Sequence, residues 1–140
     1  MSRVFFDTNL FIYLIEQLQP QHDRVRDILA RMRDRDDALH ASTLTLGELL
    51  VKPIEAGNAE LSEGYERLMR GSVTLVPFDV EAARAYARIR QDRSIKAPDA
   101  IQLACAAAAG TDLFITNDDR LSRKSIPGIQ FVASLDRAFL

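Results

Sequence analysis

The stretch Val4-Phe5-Phe6-Asp7-Thr8-Asn9 decides the fold, because it joins a short apolar run directly to a polar turn. Valine and phenylalanine favour a β-strand, and a helical pattern of apolar residues follows the turn from Leu10 to Leu18. The stretch therefore predicts a strand, a turn and a helix, with Asp7 at the carboxyl end of the strand. An acid in this position either caps the helix or acts at a site beyond the strand end.

The rest of the chain alternates predicted helices with predicted strands. Apolar residues at helical spacing predict helices, and short β-branched or apolar runs predict strands. The further helices are predicted over residues 22–35, 45–56, 61–70, 80–89 and 98–109. The further strands are predicted over residues 38–41, 72–76, 113–115 and 130–132. Pro53 is expected to bend or end its helix, whereas Asp79 is expected to cap the helix that follows it.

This alternation predicts an α/β fold, a three-layer α/β/α sandwich with a mostly parallel central sheet, because the connections between strands are too long for hairpins. A chain of 140 residues, 47% of them hydrophobic, supports one core, so we expect a single domain over residues 1–140. Such sheets bind ligands beyond the carboxyl ends of their strands, where the strand order reverses. The acids predicted to lie at that edge are Asp7, Glu48, Asp99 and Asp118.

Composition and charge limit the kinds of partner. The net charge of −2 argues against a protein that coats nucleic acid through bulk positive potential. No apolar run is long enough for a membrane helix, and Asp7 interrupts the first apolar stretch, so we expect no signal peptide, no membrane contact and a cytoplasmic location. Cys105 is the only cysteine, which excludes an internal disulfide and favours a small buried residue on an apolar helix.

Each of the four acids also has a structural explanation. Glu48 follows Thr45 at the spacing of a capping box, and the three aspartates stand where N-caps and first-turn acids are found. Caps explain acids at any helix start, whereas the fold brings these four toward one edge. Carboxylates so close together would repel unless a cation neutralised them. The donors are all oxygen, and the two histidines, His22 and His40, lack the partners of a zinc site, so Mg²⁺ or Mn²⁺ is favoured.

Four blocks of the sequence resemble one known family in their order and spacing. The blocks are Val4-Phe5-Phe6-Asp7-Thr8-Asn9, Ser42-Thr43-x-Thr45-x-Gly47-Glu48-Leu49, Pro98-Asp99-Ala100-x-x-Leu103-Ala104 and Phe114-Ile115-Thr116-Asn117-Asp118. Together they resemble the PIN domain and, more narrowly, the VapC-type ribonuclease toxins of toxin–antitoxin pairs. The resemblance covers essentially the whole chain.

The resemblance implies an endoribonuclease whose metal-binding and catalytic tetrad consists of the four acids. It implies that Thr116 and Asn117 shape the site, and that Mg²⁺ or Mn²⁺ assists attack of water on an RNA phosphodiester, leaving a 5′-phosphate and a 3′-hydroxyl. Asp118 keeps the family's spacing from Thr116, although Asp119 beside it is an alternative ligand. The family also implies a homodimer and a cognate antitoxin that buries a segment in a groove over the site.

A basic cluster directly follows the fourth acid. Arg120, Arg123 and Lys124 stand where positive side chains would bind an RNA backbone beside a metal site. A solvated helix end explains the same residues, and that alternative stays open. The other groups of arginines alternate with acids at helical spacing, so we interpret them as solvated helix faces.

Other functions would use a similar arrangement of acids. A phosphoacceptor receiver domain needs an acidic pair near its first strand and a lysine after a late strand, but Asp7 stands alone and no such lysine follows Ile115. A non-catalytic PIN-like interaction module would be expected to lack one of the acids, and none is missing. An RNA-processing PIN nuclease without an antitoxin has the same site, so the neighbouring gene would separate it from a toxin.

Overall fold

The structure is a computed structural model that describes residues 1–138. Its strands are β1 (Arg3–Phe6), β2 (Ala38–Ser42), β3 (Thr74–Val76), β4 (Leu113–Thr116) and β5 (Phe131–Ser134). Its α-helices are α1 (Thr8–Ile15), α2 (Gln21–Arg35), α3 (Thr43–Glu55), α4 (Ala59–Ser72), α5 (Val80–Ile89), α6 (Ala97–Ala108) and α7 (Asp119–Ser122). A 3₁₀ turn covers Leu135–Arg137.

The strands form one parallel sheet in the order β3-β2-β1-β4-β5. The chain builds outward from β1 to β2 and β3, and then returns to the other side of β1 for β4 and β5. The strand order therefore reverses between β1 and β4, where Phe5 pairs with Phe114 and Phe6 pairs with Ile115. The α/β prediction is confirmed, and the reversal between β1 and β4 is where such sheets bind ligands.

The sheet separates two cores, because successive strand residues point to opposite faces. Val4 and Phe6 pack on one face against side chains of α1 and α2. Phe5 packs on the other face with side chains of α5 and α6, and its ring stacks on that of Phe114 with the centroids 5.4 Å apart. Helices on both faces explain why the first strand is apolar at successive positions rather than alternating.

Several helix boundaries differ from the sequence prediction. The first helix ends at Ile15 rather than at Leu18, because Gln17 has a φ of 53° that an α-helix cannot continue. Pro53 was expected to bend or end its helix; it does not end it, since α3 runs on to Glu55, and the bend stays a prediction. Pro53 is buried in the last helical turn, where packing offsets the one backbone hydrogen bond that it removes.

Other local predictions meet mixed outcomes. Asp79 caps α5 as predicted, with its Oδ1 accepting the amide of Ala82 at 2.9 Å. Cys105 is buried on α6, and burial raises the pKa of its thiol to about 11. Helix α7 and the 3₁₀ turn escape sequence prediction, because such short segments show no period. Residues 139 and 140 of the predicted single domain lie outside the described residues, and the domain extent stays a prediction.

No helix within residues 1–138 is both long enough and apolar enough to cross a bilayer.

Candidate active site

The four acids of the predicted tetrad lie toward the carboxyl edge of the sheet. Asp7 directly follows β1, and Asp118 follows β4 after one intervening residue. Asp99 lies in the first turn of α6, and Glu48 lies in α3, which begins directly after β2. Burial and then the charges of Asp99 and Glu48 raise the pKa of Asp7. The acids are therefore close enough to influence one another's ionisation.

Asp7 is the most buried acid of the tetrad, with 7% of the residue exposed. Its Oδ1 accepts the amide of Thr8 at 2.8 Å, and its Oδ2 accepts the hydroxyl of Thr116 at 2.8 Å. Burial raises its pKa to about 6 in spite of these hydrogen bonds, which favour the charged form. Asp7 is thus the N-cap of α1, as one alternative held, but a cap alone does not require a buried carboxylate beside other acids.

Thr116 connects the two acids that follow neighbouring strands. This fully buried residue donates its hydroxyl hydrogen to Asp7, and its Oγ1 accepts the backbone amide of Asp118 at 3.1 Å. The single hydroxyl hydrogen is committed to the carboxylate, so the two hydrogen bonds fix Asp7 relative to the start of the next loop. These contacts support the predicted role of Thr116 in shaping the site.

Asp118 and Asp99 line one cleft of about 290 Å³ together with Arg120, Arg123 and Lys124. Burial raises the pKa of Asp99, and the charge of Asp118 is the next strongest cause. That electrostatic contact favours Asp118 over Asp119 as the fourth acid. Asp118 is also the N-cap of α7, where its Oδ1 accepts the amide of Arg120 at 2.9 Å.

Glu48 is not part of a capping box. The N-cap of α3 is Ser42, whose Oγ accepts the amide of Thr45 at 3.2 Å, so Glu48 lies well inside the helix. Its Oε1 instead accepts the hydroxyl of Thr8 at 2.8 Å, across from α3 to α1. The capping-box explanation for Glu48 is therefore wrong. Its side chain is instead hydrogen-bonded to Thr8, the residue that directly follows Asp7.

A buried polar cluster beside Glu48 escapes sequence analysis. Its members are Thr8, Ser42, Thr45 and Gln102, each no more than 6% exposed. Gln102 lies on α6 one turn after Asp99, and its amide nitrogen reaches the hydroxyls of Thr8 at 3.0 Å and of Thr45 at 2.9 Å. The only available signal was a glutamine among the apolar residues 100–106 of a buried helix.

The predicted site residue Asn117 lies on the exposed side of the strand end. Its side-chain amide donates to the hydroxyl of Tyr13 at 2.6 Å, which ties the loop after β4 to α1. The backbone carbonyl of Tyr13 in turn contacts Nδ1 of His22 at 3.0 Å. Asn117 therefore orients the edge of the site, and its predicted role stays a prediction.

The basic cluster divides into two kinds of residue. Arg120 is 72% exposed by its side chain, with Nε 3.7 Å from Oδ1 of Asp118. Lys124 instead binds Oδ2 of Asp92 at 2.9 Å and Oγ of Ser94 at 2.8 Å. The hydroxyl of Ser94 also donates to Oδ1 of Asp92 at 2.6 Å, and this hydrogen bond, followed by the one from Lys124, lowers the pKa of Asp92 to about 2. Lys124 therefore ties the loop before α6 to the segment after α7.

The acids fit a hard divalent cation by chemistry, but they do not form a ready-made cage. Within the described range, no three His, Cys, Asp or Glu side chains lie close enough to hold a metal ion. The cleft contains Asp99 and Asp118, whereas Glu48 lines a separate small cavity with Lys52. The four carboxylates thus lie toward one edge of the sheet, as the sequence predicts, but they do not line one common cleft. Carboxylate oxygens are ligands that Mg²⁺ or Mn²⁺ prefers. A bound cation would also stabilise the charged form of the buried Asp7, whose pKa is raised.

The sequence of the chain matches the model of the PIN domain over residues 4–127. The chain belongs to the PIN domain family, as the four sequence blocks predicted. Nucleases of this family generally use divalent metal ions.

Ribonuclease VapC23 of Mycobacterium tuberculosis is 30% identical to this chain over 122 residues, which cover 85% of the chain and 95% of the relative.

Solved structures share the fold. DNA-bound VapBC from Salmonella typhimurium has a TM-score of 0.74 at 21% identity, covering 96% of this chain and 99% of that chain. VapBC2 from Rickettsia felis, bound to a fragment of promoter DNA, has a TM-score of 0.73 at 17% identity, covering 94% of this chain and 98% of that chain. At these identities the structural likeness establishes the fold.

Proposed function

We propose that this chain is a metal-dependent endoribonuclease and the toxin of a toxin–antitoxin pair, acting in the cytoplasm. The observation that carries the proposal is Asp7, a buried carboxylate at the reversal point of the sheet whose neighbours are Asp99 and Glu48. Burying an acid among acids is unfavourable unless a cation offsets the repulsion. The similar protein named as a ribonuclease, VapC23, makes RNA the favoured substrate.

Asp7, Glu48, Asp99 and Asp118 are the residues that would hold Mg²⁺ or Mn²⁺. A bound cation would lower the pKa of a water molecule and stabilise the charge that develops on the phosphodiester. The chain's own contribution is position: Thr116 fixes Asp7, and the amides at the start of α7 fix Asp118. Water rather than the ribose hydroxyl attacks, so we expect a 5′-phosphate and a 3′-hydroxyl.

The exposed arginines are suited to hold the RNA backbone. Arg120 and Arg123 line the cleft that contains Asp99 and Asp118, so their charges lie beside the acids. Guanidinium groups bind phosphate oxygens well, and phosphate contacts position a nucleic acid without reading its sequence. Lys124 is committed to Asp92 and Ser94, so we assign it a smaller part in RNA binding.

An antitoxin and a second copy of the chain are the proposed protein partners. The antitoxin would use an apolar cleft of about 560 Å³ that α1, α2 and α4 form with β2, which contains none of the four acids and so differs from the groove over the site that the resemblance implies. Phe11, Leu14 and Ile15 of α1 line this cleft, and Leu68 of α4 is 53% exposed beside it. Similar solved structures are VapBC and toxin–antitoxin complexes, which supports a partner of this kind. The homodimer rests on the family resemblance.

The test is cleavage of RNA by the purified chain with and without divalent metal. We expect cleavage with Mg²⁺ or Mn²⁺, none with EDTA, and end groups consisting of a 5′-phosphate and a 3′-hydroxyl. Full cleavage in EDTA by a protein shown to be free of metal would contradict the mechanism. A 2′,3′-cyclic phosphate product would show that the ribose hydroxyl attacks instead of water.

A further inference from the structure

The buried polar cluster beside Glu48 is organised around Gln102, whose residue is 3% exposed. A primary amide buried on an otherwise apolar helix face is tolerated only when its hydrogen bonds are satisfied. Oε1 of Gln102 accepts the hydroxyl of Ser42 at 2.6 Å. The amide nitrogen faces the hydroxyls of Thr8 and Thr45, and lies 3.5 Å from Oε1 of Glu48. Gln102 thus connects α6 with α1 and α3.

The directions of these hydrogen bonds follow from the number of hydrogens. Thr8 donates its only hydroxyl hydrogen to Glu48, so in the 2.8 Å contact between Thr8 and Thr45 the donor must be Thr45. Both hydroxyls then have lone pairs that accept the two amide hydrogens of Gln102. An ionised Glu48 only accepts, which places the amide nitrogen of Gln102, not its oxygen, on that side.

Ser42 donates to Gln102, whereas Gln102 and Thr45 both donate to the hydroxyl of Thr8, and Thr8 in turn donates to Oε1 of Glu48. Hydrogen bonds from Gln102 and Thr45 turn the hydroxyl of Thr8 toward Oε1 of Glu48, and hydrogen bonds in series polarise one another. Glu48 itself is exposed, so packing does not hold its side chain. A glutamate side chain that becomes ordered when it binds a cation loses rotamer entropy. A hydrogen-bond donor that already orders the side chain makes this loss on binding smaller.

We propose that Gln102 is a positioning residue that, through the hydroxyl of Thr8, holds Glu48 in one orientation with Oε1 occupied and Oε2 left for the cation. This inference rests on the proposed function, since Glu48 is taken there as a metal ligand. Groups that orient a metal ligand typically change metal affinity or activity by about 10- to 100-fold when removed.

The first arm of the test compares two pairs of variants. Gln102→Met removes the amide with little change in volume, and Gln91→Met makes the same substitution at an exposed glutamine as a control. Thr8→Val removes the hydroxyl that contacts Glu48, and Thr8→Ser retains it. We expect Mn²⁺ dissociation constants, measured by calorimetry, to rise about 10-fold or more in Gln102→Met and Thr8→Val. Gln91→Met and Thr8→Ser should stay within about 2-fold of wild type.

The second arm asks whether Gln102 acts through Glu48. In a Glu48→Gln background, Gln102→Met should add little further loss of Mn²⁺ affinity, because the ligand that it positions is already altered. Fully additive losses would overturn the proposal, as would wild-type Mn²⁺ affinity in folded Gln102→Met. If Gln102→Met does not fold, the Thr8 pair decides, because equal affinities of Thr8→Val and Thr8→Ser would also overturn it.

A third arm separates this inference from the proposed function. In the metal-free protein, NMR couplings and relaxation of the Glu48 side chain should show one rotamer in the wild type and averaging in Gln102→Met. If the wild type neither binds Mn²⁺ nor cuts RNA, the proposed function fails, while this measurement still tests the positioning. Equal averaging of Glu48 in both proteins would overturn the inference whatever the metal does.

Discussion

The two halves of the site are built on different physical principles. The buried half consists of Asp7, Thr8, Thr116 and Gln102, each no more than 7% exposed, and its hydrogen bonds are mostly 2.8–3.0 Å long. The other half, which we call the exposed half because the Arg120 side chain is 72% exposed, consists of Arg120 and the partly buried Asp99 and Asp118, and its Arg120–Asp118 ion pair is 3.7 Å long. The buried half is held in place by short hydrogen bonds, whereas the exposed half is open to solvent and to screening by salt.

This difference indicates that the two halves of the site have different functions. Hydrogen bonds in a low-dielectric interior are strong and costly to leave unmade, so the buried half fixes where a cation would bind. Exposed ion pairs contribute little to stability and are screened by salt, so the exposed half is free to exchange its internal partners for a phosphate. Substitutions in the buried half should therefore affect chemistry and stability, whereas those of the arginines in the exposed half should affect RNA affinity.

The largest effect is expected from Asp7→Asn, which keeps the cap of α1 but removes the buried charge. Cleavage of RNA should fall by about 100-fold or more, and the rise in melting temperature produced by Mn²⁺ should shrink because a ligand stabilises only as far as it binds the native state. Asp79→Asn is the matched control, since Asp79 is also an aspartate N-cap. Wild-type cleavage by Asp7→Asn, with an unchanged Mn²⁺ shift, would mean that Asp7 is only a cap.

The same variant should remove a pH-dependent loss of stability that Asp7 causes in the metal-free protein. Asp7 has a folded pKa of about 6 against its ordinary value of 3.8, so between these values the native state binds more protons, and stability falls as pH rises. Above pH 6 this cost is fully present, on the order of 2–3 kcal/mol. Metal-free Asp7→Asn should thus be as stable as wild type near pH 4 and more stable at pH 7. Denaturant unfolding at both pH values measures this, and a constant difference would contradict the raised pKa.

Thr116→Val tests the connection between the strand-end acids within the buried half. The substitution removes the donor to Asp7 and the acceptor for the amide of Asp118, so it should cost about 1–3 kcal/mol of unfolding free energy and about 10-fold in cleavage rate. Thr116→Ser keeps the hydroxyl and should retain most activity. Equal rates for the valine and serine variants would show that the hydroxyl does not serve the reaction.

The smallest effect is expected in the exposed half. Replacing Arg120 and Arg123 together by alanine should weaken RNA binding several-fold and reduce its salt dependence, while Mn²⁺ affinity stays nearly unchanged. Lys124→Ala should change the salt dependence less, because Lys124 is already bound to Asp92. RNA titrations at several salt concentrations measure both slopes. Identical slopes for wild type and the double variant would leave the arginines as a solvated helix end.

The sequence by itself determined the fold class and the candidate acids. Strand runs such as Val4-Phe5-Phe6 and helical spacing are local properties, so their order along the chain predicts a parallel sheet with helices on both faces. Asp7 and Asp118 were identifiable because a carboxylate just after a strand must lie at the sheet edge. Glu48 and Asp99 were expected at the same edge because they lie near the starts of predicted helices. The family resemblance then added Thr116 and Asn117, and the match to the PIN domain confirms the family.

Only the tertiary structure decided which side chains meet. Glu48 and Gln102 are 54 residues apart, and Thr8 is 94 residues from Gln102, so no local period predicts their hydrogen bonds. The structure also showed that Lys124, although it lines the cleft, is hydrogen-bonded to Asp92. A sequence states which groups carry charge or can form hydrogen bonds. The strength of their interactions depends on burial. Burial in turn depends on segments that the fold brings together from distant parts of the chain.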